Sequence, residues 1–174
     1  MIKRLAEREL RTKFGVFKEF LYYDGQRESI AIVMGDVEGG ANVLCRIHSH
    51  CIGAHVFNSI ECTCREEMAA AQTVIRDKGS GVIIWLDQEG KGNGHLALIE
   101  SIPFKQAGAS QSEAYEKAGF AAEARSFRPA AEILDDLKVG SIILLTDNEE
   151  KVNDLKRFSI NVTGTRPLLA ESTT

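Results

Sequence analysis

"TCREEMAAAQTVIRDKGSGVIIWL", residues 63–86, decides the fold. Its first sixteen residues are mostly good helix formers, and the helical stretch stops at Gly79. Residues 81–86, "GVIIWL", are an unbroken apolar run of strand length, the pattern of a strand buried on both faces. Thr63 and Glu66 have capping-box spacing, which predicts that the helix begins just after Thr63.

Downstream the alternation continues. The glycine-rich "EGKGNG" (89–94) leads into a helix expected from His95 to Gly108, interrupted near Pro103. "QSEAYEKAGF" (111–120) reads as a short helix, and "RPAAEILDDLKVG" (128–140) as another with proline near its start and glycine past its end. "SIILLT" (141–146) is a second buried strand, followed by the helix "NEEKVNDLKRF" (148–158) and the short strand "INVTGT" (160–165). Such alternation predicts a largely parallel sheet in this half. Upstream, "FGVFKEFLYY" (14–23), "SIAIVMGDV" (29–37) and "NVLCRIH" (42–48) read as strands joined by short turns, which suggests antiparallel pairing. The expected class is α/β: a mixed sheet with an antiparallel N-terminal part and helices packed on it. Residues 1–168 form one domain in this reading and 169–174 a flexible tail.

The bulk numbers narrow the function. The 174 residues are 44% apolar and 26% charged, an ordinary globular composition, with net charge -4. A pI near 5.6 argues against a nucleic-acid polymer as partner, while leaving room for a small anion held by a few local cations. No apolar run reaches membrane-spanning length, and "MIKRLAEREL" lacks the apolar centre of a signal peptide, so a cytoplasmic location is expected.

In a reducing compartment clustered cysteines are metal ligands or catalytic thiols more often than disulfides. Three of the four cysteines fall within "HSHCIGAHVFNSIECTC" (48–64), at Cys51, Cys62 and Cys64. Cys45 lies in an apolar strand and reads as a core residue. Three thiolates with an open fourth position match a catalytic zinc; a histidine completing a structural site, His55 more readily than His50, is the alternative. Cys64 in the first helical turn would have its thiolate favoured by the helix dipole.

These residues carry a resemblance. "RIHSHC", a ten-residue gap and "CTC" are similar to the metal segment of the GTP cyclohydrolase II family. "DQEGKGNG", "AGFAAEARSF", "LLTDNEEKV" and the terminal "RPL" extend the likeness over roughly residues 1–168. The resemblance implies a GTP cyclohydrolase II-like fold, a zinc held by Cys51, Cys62 and Cys64, and hydrolytic opening of the imidazole ring of GTP. Formate and pyrophosphate would leave, in the service of riboflavin synthesis. It also implies a homodimer, and Mg2+ accompanying the triphosphate.

By the same resemblance Arg46, Ile47, His48, Ser49 and His50 form a nucleotide-binding stretch. Glu67, Glu89, Gly90, Lys91, Gln111, Thr146 and Lys151 are further substrate contacts. Glu123 matches a proton acceptor and Arg125 a catalytic arginine; a guanidinium stays protonated, so charge stabilisation of phosphoryl transfer suits Arg125. Taken alone, Lys151 would read as a solvated helix face.

The chain departs from the family pattern at His50 (glutamate), Glu67 (glutamine), Asp87 and Lys91 (both arginine), Ile102 (tyrosine), Gln111 (threonine) and Glu123 (aspartate). Two alternatives therefore stand beside GTP: a diverged paralogue acting on another nucleotide or base, and a non-catalytic nucleotide-binding zinc protein.

Overall fold

The computed structural model describes residues 1–146 and 149–169. Most of the expected tail, and Asn148 at the start of an expected helix, lie outside the described residues. In chain order the elements are β1 (Lys3–Thr12), β2 (Gly15–Tyr23), β3 (Glu28–Met34), β4 (Val43–Ser49), α1 (Ile52–His55), α2 (Cys64–Lys78) and β5 (Gly81–Leu86). There follow α3 (His95–Gln106), α4 (Gln111–Lys117), α5 (Arg128–Asp136), β6 (Ile142–Leu145), α6 (Glu149–Arg157) and β7 (Val162–Arg166).

All seven strands join one sheet in the order β1-β2-β3-β5-β4-β6-β7. The first four positions are antiparallel, and β5, β4, β6 and β7 run parallel. This is the mixed sheet expected, with one correction. β4 does not pair with β3; β5 inserts between them, so β4 belongs to the parallel half. The two apolar strands β4 and β5 need cover on both faces, which only the middle of the sheet offers.

Side-chain alternation assigns the two faces. Cys45, Ile47, Val82, Ile84, Leu86, Ile142 and Leu144 pack with Ile133 and Leu134 of α5 and Leu155 of α6. Leu44, Ile83 and Leu145 pack with Ala71 and Ile75 of α2 on the other side. Gly81 allows the close approach of α2: a Cβ there would stand 2.7 Å from Ile75 and 2.9 Å from the Leu44 carbonyl.

Three local expectations change. β1 has no counterpart in the sequence reading. It is an edge strand, exposed along most of its length, so it lacks the apolar alternation that marks a strand. Its charges pair across to β2, Arg8 with Glu19 and Lys18 with Glu7. α3 runs unbroken through Pro103, because the ring removes a single donor and packing against α4 holds the helix together. The capping box forms at Ser110 and Glu113 rather than at Thr63 and Glu66. Thr63 has φ -99° and ψ 15°, not the extended backbone a cap needs, and its hydroxyl donates to Glu67 instead.

Candidate functional site

A cavity of about 830 Å³ opens at the C-terminal ends of β4, β5 and β6. The chain leaves β4 for β5 on one side and returns to β6 on the other, the crossing at which open α/β sheets bind ligands. Arg46, His48, Ser49 and His50 line it, as do Glu67, Glu89, Gly90, Lys91, Gln111, Arg125, Thr146 and Lys151. Two expected site residues do not. Ile47 alternates to the opposite face of β4 and its side chain is buried in the α5–α6 core; only its carbonyl is used, accepting from the Lys151 ammonium. Glu123 stands behind Arg125, off the cavity wall.

Cys51, Cys62 and Cys64 converge on the same cavity, with their sulfurs all within 4.8 Å of one another. Cys51 Sγ lies 3.6 Å from Cys62 Sγ. A tetrahedral zinc with sulfurs at about 2.3 Å sets neighbouring sulfurs roughly 3.8 Å apart, so the trio fits that ion. Among the described residues no histidine joins the cluster. His55 is taken up elsewhere: its Nε2 is 2.9 Å from Nε2 of buried His48, and the rings meet edge to face. Burial, then Arg46, pushes His48 down to about 2, so it is neutral. Against the thiolate preference expected of Cys64 from the helix dipole, burial first, then its sulfur neighbours, pushes its pKa up.

The glycine-rich segment is a clamp. Glu89 accepts from the Ile52 amide (3.1 Å) and pairs with His95 (3.1 Å), tying this segment to the cysteine loop. Gly92 passes so close to residues 124–125 that a Cβ would stand 2.5 Å from the Ala124 carbonyl oxygen. The Ala124 amide donates to the Lys91 carbonyl (2.9 Å), and Gln88 makes two bonds to the Ser126 backbone, at 2.7 and 2.6 Å. Arg125 is thereby fixed on the cavity wall. Glu123 holds its guanidinium through both carboxylate oxygens, at 2.7 and 2.6 Å. Burial alone would raise the Glu123 pKa, but Arg125 holds it below the usual range.

The remaining cations divide into neutralised and available. Arg46, buried on the α2 face of β4, is paired with Glu67 from α2, and Lys91 donates to Ser112 at 2.8 Å. Lys151 is no solvated helix residue. Burial, then Arg46 and Arg125, pushes its pKa down to about 7. Asp87 is not itself part of the cavity lining; its carboxylate meets Nδ1 of His50, which is, at 3.2 Å.

Among the described residues, three buried side-chain polar atoms lack a hydrogen-bond partner: Arg46 Nε, Ser49 Oγ and the Tyr115 hydroxyl. All three residues line this cavity. Tyr115 and Gln88 escaped the sequence reading. Tyr115 sits mid-helix in an alanine- and glutamate-rich segment, where an aromatic reads as core, and no spacing signal marks Gln88.

The sequence profile of the GTP cyclohydrolase II family matches residues 3–167. This chain belongs to the GTP cyclohydrolase II family. Within it the chain is 38% identical over 169 residues to a GTP cyclohydrolase-2 from Actinobacillus succinogenes, covering 96% of this chain and 78% of that protein. It is 37% identical over 170 residues to the riboflavin biosynthesis protein RibBA of Bacillus mycoides, where it spans 97% of itself and 43% of the longer protein. Among solved structures, RibBX, a two-domain 3,4-dihydroxy-2-butanone 4-phosphate synthase from A. baumannii, matches with a TM-score of 0.53. That match has 19% identity and covers 98% of this chain and 40% of the other, and it shows a shared fold. The family places the chain among hydrolases acting on carbon–nitrogen bonds in cyclic amidines. Among the described residues no helix is long and apolar enough to cross a membrane.

Proposed function

We propose that this chain is a zinc-dependent nucleotide cyclohydrolase that opens the imidazole ring of GTP, releasing formate and pyrophosphate. The observation that carries the reading is a single cavity with the cysteine trio on one part of its wall and Lys91, Arg125 and Lys151 on the others. Bound there by Cys51, Cys62 and Cys64, zinc would supply the acidity that makes water a nucleophile at neutral pH. Arg125, held rigid by Glu123, is placed to stabilise charge on the phosphoryl oxygens. Glu123 in this reading orients Arg125 and does not face the substrate. Arg46, Ser49, His50, Gln111 and Thr146 bind and orient the nucleotide, whose triphosphate would carry Mg2+. Residues 1–168 would act as one unit, in the cytoplasm and as a homodimer; the exposed Val56, Phe57 and Ile60 are consistent with a second copy.

A second reading, a different purine nucleotide as substrate, is favoured by Ile102 on the cavity wall where the family pattern has a tyrosine. Zinc-loaded protein incubated with a nucleotide panel separates the two by formate and pyrophosphate release. Turnover of GTP supports the first, and turnover of another nucleotide alone supports the second. No release from any nucleotide, at one zinc per chain, leaves a non-catalytic binding protein and overturns both.

A further inference from the structure

Tyr115 of α4 is fully buried, and it lines the cavity together with Ile102 of α3. A second buried tyrosine in the chain shows what such a group ordinarily does: the Tyr22 hydroxyl donates to Asp136 at 2.7 Å. The Tyr115 hydroxyl has no partner. Gln111 and Ser101 stand near enough to favour its ionised form, but neither meets the distance and angle of a hydrogen bond, and the Ser101 hydroxyl donates to Leu98 at 2.7 Å. Burial nevertheless raises the phenol's pKa, so it remains a protonated donor.

Leaving a buried donor unbonded is costly to the free protein, and such a group is retained where something else completes it. The surroundings say what. The oxygen lies 3.6 Å from where a Cβ on Gly90 would stand, and Arg125 and Lys91 stand on the same wall. Arg125 is the cation whose charge reaches the phenol, against that of the Glu89 carboxylate, and a donor at a glycine turn beside that arginine suits an anionic oxygen.

We propose that the Tyr115 hydroxyl donates to a phosphoryl oxygen of the bound nucleotide, making Tyr115 a substrate-binding residue of this chain. The inference rests on the nucleotide reading above.

Tyr115→Phe removes one atom and keeps the ring, so the variant should fold. The expected result has two opposite signs. Its melting temperature in the absence of nucleotide equals or exceeds that of the parent, because an unsatisfied donor is gone. Its affinity for GTP, measured on the zinc-loaded protein, falls roughly tenfold, while affinity for guanosine, which lacks phosphate, is unchanged. Tyr22→Phe, which breaks a satisfied bond far from the cavity, should do the reverse, lowering stability and leaving GTP affinity alone. A Tyr115→Phe protein that loses stability, binds GTP like the parent, or weakens guanosine equally overturns the proposal. A parent protein that binds no nucleotide overturns the underlying reading and the proposal together, and is told apart by needing no variant.

Discussion

Lys151 reaches from α6 across the end of the sheet to the Ile47 carbonyl, and it arrives among cations. Its folded pKa of about 7 lies below the 10.5 of an exposed lysine. Folding therefore expels a proton between those values. The group costs the ligand-free fold stability at and below pH 7, and the cost fades as pH climbs toward 10.5. An anion in the cavity reverses the bias by favouring the ammonium. At about pH 8 nucleotide binding should thus take up a proton, visible calorimetrically as a binding enthalpy that changes with the buffer's ionisation enthalpy. Lys151→Gln should abolish that dependence. Equal buffer dependence in parent and variant would reject the assignment. The resemblance marked Lys151 as a substrate contact, but a lysine in a polar helix reads as solvated, so its burial was not legible. The pairing of His50 with Asp87 was equally hidden. Taken singly, each departs from the family pattern, and Asp87 threatens an anion site. In space they touch, His50 Nδ1 meeting the Asp87 carboxylate at 3.2 Å.

At the scale of elements, the segment from Gln88 to Asn93 and the segment from Ala121 to Ser126 behave as one unit. Four backbone attachments join them: Ala124 to Lys91, two from Gln88 to Ser126, and Asn93 to Ala121. The sequence marked both segments and gave no sign that they clasp each other, since contact across thirty residues leaves no periodic trace. Gly92 is where the clasp is tightest, with φ +85° and the 2.5 Å approach described above. Gly92→Ala should cost about 1–2 kcal/mol from the backbone conformation alone, and more as residues 124–125 are pushed away. The effect on kcat/KM should exceed the effect on stability, because Arg125 rides on the displaced segment. Hydrogen exchange at the Ala124 amide measures the cause directly: faster exchange is expected, and unchanged protection would show that the clasp had absorbed the methyl. Elsewhere legibility tracked burial. β5 and β6 were readable as continuous apolar runs and α2 by its glycine stop. β1 escaped because an exposed edge strand has no apolar face to display.

The whole molecule joins a well-buried sheet to a thinly packed cysteine loop, and the two should respond differently to loss of the proposed zinc. Both core clusters are built from the strands with α2, α5 and α6, and neither contains Cys51, Cys62 or Cys64. Between Ile52 and Thr63 the single fully buried side chain is Ala54, while Val56, Phe57 and Ile60 are exposed. What holds this loop, apart from its cysteines, is the Ile52 amide on Glu89, the His55 ring on His48 of β4 and the Arg65 guanidinium on the Ala54 and His55 carbonyls. Those few bonds compare poorly with the ordering entropy of a dozen residues, about 1–2 kcal/mol each. A ligand that binds only the folded loop makes up the difference by mass action. Chelation should therefore open the loop and spare the sheet. Chymotrypsin cleavage after Phe57 should accelerate severalfold, with far-UV circular dichroism unchanged, and zinc should restore resistance. Cys62→Ser should imitate the chelated state even with zinc present. Unaltered cleavage would mean that the loop stands without the metal. Cooperative loss of the whole dichroism signal would mean that the ion supports the sheet as well, which the separation of the cysteines from both cores argues against.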